Sequence, residues 1–279
     1  MRICFASDFH GSQSHYEQFE ALLRAERPDL AILGGDMFPD GDLDDPSGTQ
    51  GRYVQEVFAP RLERWREANP NMGVACILGN HDWLCTEHAL HTYDEQDLLR
   101  VLSPRRPWSF GGIWFVGYSC TPPTPYWVKD FERLDLSGDP LPETGGAVWD
   151  TRRLRVRKAS PAEHFGFRPS MAADLAGIEQ PPSAWIFVCH APPYGSQLDR
   201  LPHLDFPIGS KAVRSFVEQR RPLLALHGHI HESPMVTGRF AELLDGVLCV
   251  NPGQAQTRLH AVTLDTERPG ETLRHTVLR

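Results

Sequence analysis

Residues 226–233 read LHGHIHES and put three imidazoles, His227, His229 and His231, into five positions directly after the apolar run RPLLA. Imidazole nitrogens ligate metals and move protons, and matching groups stand elsewhere in the chain. Asp8 and His10 follow the run ICFA. Asp36 follows LAIL. Asn80, His81 and Asp82 follow VACIL, and His190 follows WIFVC. Asp8, His10, Asp36, Asn80, His190, His229 and His231 thus form a set of seven oxygen and nitrogen donors with no thiolate. Such a set suits Mn, Fe, Zn or a similar divalent ion. It is too large for one tetrahedral zinc and fits two ions that share a ligand. Two divalent cations bring four positive charges, of which Asp8 and Asp36 remove two. The remainder would acidify a bridging water and attract a phosphate oxyanion. Singly, each residue has an ordinary reading. Asp8 could be a helix N-cap, Asp36 or Asn80 a turn residue, His190 a satisfied core histidine.

The elements that must position these groups are legible in outline. Five apolar runs, at 2–6, 30–33, 74–78, 185–189 and 223–226, are continuous rather than alternating. That pattern suits central strands covered on both faces. Segments of helical character lie at about 13–27, 52–68, 94–102 and 210–220. Strand, helix and strand in succession imply right-handed crossovers and parallel neighbours. In such sheets ligands gather outside the carboxyl ends of the strands, so the spacing brings the donors to one sheet edge. WSFGGIWFVGYS reads as a hairpin turned at Gly111 and Gly112, and VLCVNPG, LHAVTLD and TLRHTVL read as closely spaced strands. The expected architecture is two stacked sheets flanked by helices. Residues 127–170 carry weak periodicity and many breakers, and read as an excursion, a lid or an edge element.

The bulk numbers bound the function. At 279 residues the chain is long enough for one large domain or two small ones, with a sizeable core either way, and is read as one domain over 1–279. No apolar run approaches the roughly 20 residues needed to cross a bilayer, and MRICFASDFH lacks the apolar stretch of a signal peptide. A cytoplasmic enzyme with no membrane partner is expected. Cys4, Cys76, Cys189 and Cys249 lie in apolar runs, where a thiol acts as a small hydrophobe. A net charge of −8 disfavours non-specific nucleic-acid binding. The basic cluster TRRLRVRK (Arg152, Arg153, Arg155, Arg157, Lys158) reads as a solvated face or an anion patch.

In order along the chain, the motifs D8-F-H10, G35-D36, G79-N80-H81-D82, His190 and G228-H229-I230-H231 resemble the signature of the calcineurin-like metallophosphoesterases. The resemblance implies a four-layer α/β/β/α sandwich of two mixed sheets with flanking helices, an α/β fold. It implies that Asp8, His10 and His231 hold one metal, that Asn80, His190 and His229 hold the other, and that Asp36 bridges them. His81 would be the general acid, with Asp82 orienting or charging its ring. VNPGQ (250–254) resembles a loop of the family in which serine is common where Gln254 stands. No ligand role falls to His227, and Trp83 is open to either substrate stacking or packing.

The reaction so implied is metal-assisted hydrolysis of a phosphoester by hydroxide generated between the ions, with His81 protonating the leaving oxygen. GDMFPDG and GNHDWLCTEH lack the arginines of the protein-phosphatase branch. Acidity argues against a DNA nuclease. A small soluble phosphodiester such as a cyclic nucleotide is the substrate left, with a phosphomonoester as the alternative. From another class, the rival is a catalytically silent metal-binding scaffold.

Overall fold

A computed structural model describes residues 1–278. Along the chain run β1 (Arg2–Ala6), β2 (Leu30–Gly34), β3 (Gly73–Ile77), β4 (Arg100–Val101), β5 (Trp108–Phe110), β6 (Ile113–Tyr118) and β7 (Gly146–Asp150). They are followed by β8 (Arg155–Ala159), β9 (Trp185–Cys189), β10 (Leu224–Leu226), β11 (Ala241–Leu244), β12 (Val247–Val250), β13 (His260–Asp265) and β14 (Arg274–Val277). One six-stranded sheet has the order β14-β13-β1-β2-β3-β4; a second has β11-β12-β10-β9-β6-β5. In the first, β1 to β4 run parallel and β13 closes antiparallel on β1. In the second, β6, β9, β10 and β12 are parallel, with antiparallel strands β5 and β11 at the edges. Both sheets are mixed and carry flanking helices, as the resemblance implied.

The continuous apolar runs have a direct cause. Side chains alternate across a strand, and here both faces are covered. Ile3 and Phe5 of β1 join Ile32, Ile77, Phe115, Ile186, Val188 and Leu226 in the core between the sheets. Cys4 and Ala6 of β1 point instead to the outer core, with Phe19 and Leu22 of the helix Gln13–Glu26. On the second sheet, Phe216 of the helix Lys211–Arg220 packs on Phe187, ring centroids 4.8 Å apart.

Three features differ from the sequence expectation. The five apolar runs do not share one sheet: β1, β2 and β3 lie in the first, β9 and β10 in the second. A parallel order cannot be assigned from strand pattern alone when two similar sheets compete for the strands. The helix expected over 94–102 is instead Leu84–Glu95, and Arg100–Val101 is a strand beside β3. Asp97, with φ of 56°, turns the chain between them. The helix expected at 52–68 is α-helical only over Ala59–Ala68, and π-helical turns precede it at Ser47–Gly51 and Val54–Phe58. Pro60 has no N–H to donate to the preceding turn, which favours a widened ladder there.

The 127–170 excursion is anchored. It carries the antiparallel pair β7–β8 and a short helix, Pro161–Phe165. Asp130 is buried, and its carboxylate accepts from the backbone N–H of Leu84 and of Trp149, both at 2.9 Å. Asp135 accepts from the N–H of Lys211 at 2.7 Å, at the start of the second sheet's helix. The basic cluster lies on the β7–β8 turn and β8, with Arg152, Arg153, Arg155 and Lys158 exposed. Replacing Asp130 by alanine would leave the buried N–H of Trp149 and the half-buried N–H of Leu84 without their acceptor. A loss of about 1–3 kcal/mol is expected, read as a lower urea midpoint. An unchanged midpoint would show that this anchor does not hold the excursion.

Candidate metal centre

The expected donors meet where the carboxyl ends of the two sheets come together. Asp8 and His10 follow β1, Asp36 follows β2, and Asn80 follows β3. His190 follows β9, and His229 and His231 follow β10. The Asp36 carboxylate stands between the two groups. Its Oδ2 lies 3.2 Å from His190 Nε2 and 3.9 Å from His10 Nε2. Asp8 Oδ1 lies 3.2 Å from His231 Nε2 and 3.9 Å from His190 Nε2. The Nε2 atoms of His10 and His231 are 3.2 Å apart, and the ring centroids of His190 and His229 are 5.3 Å apart. Asp8, His10, Asp36 and His231 each present one ligand atom within mutual reach of a single cation.

Backbone hydrogen bonds hold these groups at a conformational cost. Asp8 (φ 62°), His10 (45°), Asp36 (48°) and His229 (68°) all adopt left-handed backbone. Each such residue costs on the order of 1–3 kcal/mol, and such strain concentrates at functional sites. The N–H of Asp8 donates to Gly35 O (3.0 Å) and that of His10 to Asp36 O (2.8 Å), which locks β1's loop to β2's. The N–H of His229 donates to both Asp8 carboxylate oxygens at 3.1 Å. The N–H of His81 donates to Asp36 Oδ1 at 2.8 Å, which leaves Oδ2 to face the imidazoles.

Three observations fit bound metal at this point. First, Asn80 Oδ1 and His190 Nε2 are buried without a hydrogen-bond partner among the described residues. The 3.2 Å approach of His190 Nε2 to Asp36 is close in charge but lacks hydrogen-bond geometry. Orphaned buried polar atoms are costly unless something coordinates them. His190 Nδ1, by contrast, meets Gly34 O at 2.8 Å, which fixes the ring and turns Nε2 inward. Second, a Cβ on Gly79 would stand 2.2 Å from Asp36 Oδ1 and 2.6 Å from His190 Nε2, so the chain keeps that space clear. Third, the donors are oxygen and imidazole nitrogen throughout, a set that accepts first-row divalent metals.

The electrostatics point the same way. Burial alone would raise the pKa of both carboxylates, but facing imidazoles outweigh it. Asp8 is held down at about 2, chiefly by His231 and His190. Asp36 falls well below the ordinary carboxylate range, chiefly through His190 and His81. Burial pulls His190 down, yet Asp36 and Asp8 lift it to about 9. Burial and the neighbouring His190 push His229 down to about 3. The carboxylates thus create a field that favours positive charge at this point, and a divalent cation satisfies it as an imidazolium does.

His81 sits at the rim. Asp82 does not touch its ring. The Asp82 carboxylate is buried and accepts from the N–H of Gly79 (2.9 Å), Phe38 (3.2 Å) and Met37 (3.3 Å), tying the loops after β2 and β3 together. Burial and the neighbouring Asp36 raise its pKa to about 7. The ring partner is Asp40, whose Oδ1 is 2.9 Å from His81 Nδ1. Sequence reasoning missed Asp40 because it sits in the acidic loop PDGDLDD, where no spacing marks one carboxylate from the next. It also missed Gln50. That buried side chain donates to Pro39 O and His81 O and accepts from Trp83 N and the Thr86 hydroxyl.

His227 is fully buried, and its Nδ1 lies 3.1 and 2.9 Å from the carbonyls of Cys189 and Ala191, a packing role. Trp83 is fully buried beside Trp127 and cannot stack on a ligand. Gln254 donates to Ser7 O at 3.0 Å and accepts from His260 N, so it braces the residue before Asp8. All six cysteines are free and buried.

The sequence model for calcineurin-like phosphoesterases matches residues 1–233. The chain belongs to this family. It is therefore a metal-dependent phosphoric ester hydrolase by class. No curated protein matches this phosphoesterase. Among solved structures it is similar to TT1561 of Thermus thermophilus, at 18% identity and a TM-score of 0.63, with 100% of this chain and 99% of that one covered. That likeness is one of fold. A dimetal phosphatase from Danio rerio matches at 12% identity and a TM-score of 0.49, covering 94% of this chain and 92% of that one.

Substituting Gly79 by alanine would drive a methyl group between Asp36 and His190. The expected outcome is a folded protein, by circular dichroism, that retains a small fraction of the wild-type metal content by elemental analysis. Full metal content in Gly79→Ala would refute the assignment of this gap to a cation.

Proposed function

We propose that this phosphoesterase hydrolyses a small soluble phosphodiester at a dinuclear centre. In this reading Asp8, His10 and His231 hold one divalent ion, Asn80, His190 and His229 hold the other, and Asp36 is shared. The observation that carries it is the position of Asp36 Oδ2 between His190 and His10. When bound, the two ions supply Lewis acidity to a phosphoryl oxygen and lower the pKa of a water. The chain's own residues do the rest. His81 holds a proton at the rim. Burial opposes its charged form, but Asp36 and Asp40 outweigh burial and raise its pKa. Its role is to pass that proton to the leaving oxygen.

A groove of about 870 Å³ runs from Asp8, His10 and His231 past His15, Met235, Gln256, Arg258 and His260. Its volume is in the range, about 300–1,000 Å³, that accommodates a drug-sized organic molecule. Among the described residues, Arg258 is the one arginine or lysine lining it. A second ester arm would fill such a groove, whereas a monoester's extra negative charge would find little compensation there. A diester such as a cyclic nucleotide is therefore favoured over a monoester.

The test is a panel of bis-p-nitrophenyl phosphate and p-nitrophenyl phosphate with Mn, Fe, Zn and Ni. Diester turnover should exceed monoester turnover with at least one metal. Bound metal with no turnover on either ester would support the silent scaffold instead. Asp36→Ala should lose both metal and activity. His81→Ala should keep its metals and lose about 10²-fold or more in turnover of esters with poor leaving groups. Equal losses on nitrophenyl and alkyl esters would remove His81 from the acid role.

A further inference from the structure

His81 is held by more than Asp40. The ring of Tyr126 stacks on the imidazole with centroids 3.6 Å apart and planes 20° apart. The hydroxyl of the same tyrosine donates to Asp40 Oδ1 at 2.7 Å, the oxygen that also meets His81 Nδ1 at 2.9 Å. His10 closes a further side edge-on, 4.7 Å between centroids. Asp40 is itself exposed, 59% of its side chain, and its carboxylate makes no other hydrogen bond among the described residues. An exposed carboxylate on a loop samples several rotamers unless a partner fixes it. Here the partner comes from a distant part of the chain.

The segment that brings Tyr126 is rigid for identifiable reasons. Its N–H donates to Thr124 Oγ1 at 3.1 Å, and the Thr124 hydroxyl donates to Glu132 at 2.6 Å. The buried ammonium of Lys129 ties the turn to Glu132 at 2.9 Å and to the carbonyls of Thr124 and Tyr126. Lys129 and Glu132 are both buried, so this ion pair is fixed rather than solvated. Trp127 packs beside Tyr126 and against the buried Trp83.

We propose that Tyr126 is a positioning residue for proton transfer, resting on the functional reading above. Its hydroxyl fixes Asp40, Asp40 fixes the proton on His81 Nδ1, and its ring sets the plane of the imidazole. Nε2 is thereby presented to the leaving oxygen. In the reaction a water oxygen bonds to phosphorus, and the ester P–O bond breaks with its electron pair on the leaving oxygen. That oxygen takes the Nε2 proton of the doubly protonated ring, which leaves a neutral ring protonated on Nδ1; the attacking water gives its proton to solvent, and Nε2 regains one from solvent.

The experiment uses the full-length, zinc-loaded protein and the variants Tyr126→Phe and Tyr126→Leu. Tyr126→Phe keeps the stack and deletes only the hydroxyl. Rates are compared for bis-p-nitrophenyl phosphate, whose leaving group needs little protonation, and diphenyl phosphate, whose leaving group needs more. The ratio of the two rates should shift by about tenfold against the phenyl ester in Tyr126→Phe, and further in Tyr126→Leu, with zinc content unchanged. An unchanged ratio, whether through equal losses or none, would overturn the proposal. A second readout is independent of turnover. Recorded at a pH high enough that the ring is neutral, nitrogen NMR of His81 should show one Nδ1-protonated tautomer in the wild type and a mixture of tautomers in Tyr126→Phe. Identical spectra would overturn the positioning role even if no ester were hydrolysed. Absent turnover in the wild type would count against the functional reading alone.

Discussion

A carboxylate buried away from water must find positive charge, or it loses its own. Asp8 and Asp36 are both buried at the junction of two sheets, and the structure around them is arranged to answer that constraint. The effective cost of burying one ion is several kcal/mol, and two carboxylates near one another add mutual repulsion. Four histidines converge on them from three different strand ends. The donors divide between the carboxyl ends of the two sheets. Packing the sheets face to face brings the ends of β1, β2 and β3 beside those of β9 and β10.

The same constraint explains the backbone. Four of the candidate ligand residues hold left-handed conformations that side-chain-bearing residues avoid. Their strain is offset by inter-loop hydrogen bonds, Asp8 to Gly35, His10 to Asp36, and His229 to Asp8. Each strained residue is therefore held by another member of the same cluster. A loop that relaxed would take a ligand with it, so order in the loops and charge balance in the cluster are coupled.

Much of this was legible in the sequence, for a physical reason. Strands buried on both faces must be apolar throughout, so their ends are marked sharply by the first polar residue. Asp8, Asp36, Asn80, His190 and His229 all stand within three residues of such an end. The division of strands between two sheets was not legible. RICFA and WIFVC have the same pattern although they belong to different sheets, because each is covered by the other sheet on one side and helices on the other. The helix Leu84–Glu95 was hidden as well. Its sequence LCTEHALHTYDE is mixed in polarity because only one narrow stripe, Cys85, Thr86, Leu90 and Asp94, is buried.

Asp82 and Asp40 show where sequence proximity misleads. Asp82 is adjacent to His81, yet successive side chains leave the backbone in different directions, and three N–H groups draw its carboxylate inward. Asp40 is 41 residues from His81 and meets its ring directly. Adjacency in the chain fixes where a backbone goes; only the fold fixes where a side chain ends. The inward carboxylate stabilises the crossing of two loops, and the outward one stands at the solvent-exposed rim. A group that must take part in proton transfer needs that access, and a group that must hold loops together needs shelter from water. In the proposed reaction the two aspartates divide those duties by depth, and the hydroxyl of Tyr126 gives the exposed one the fixed orientation that burial gives the other.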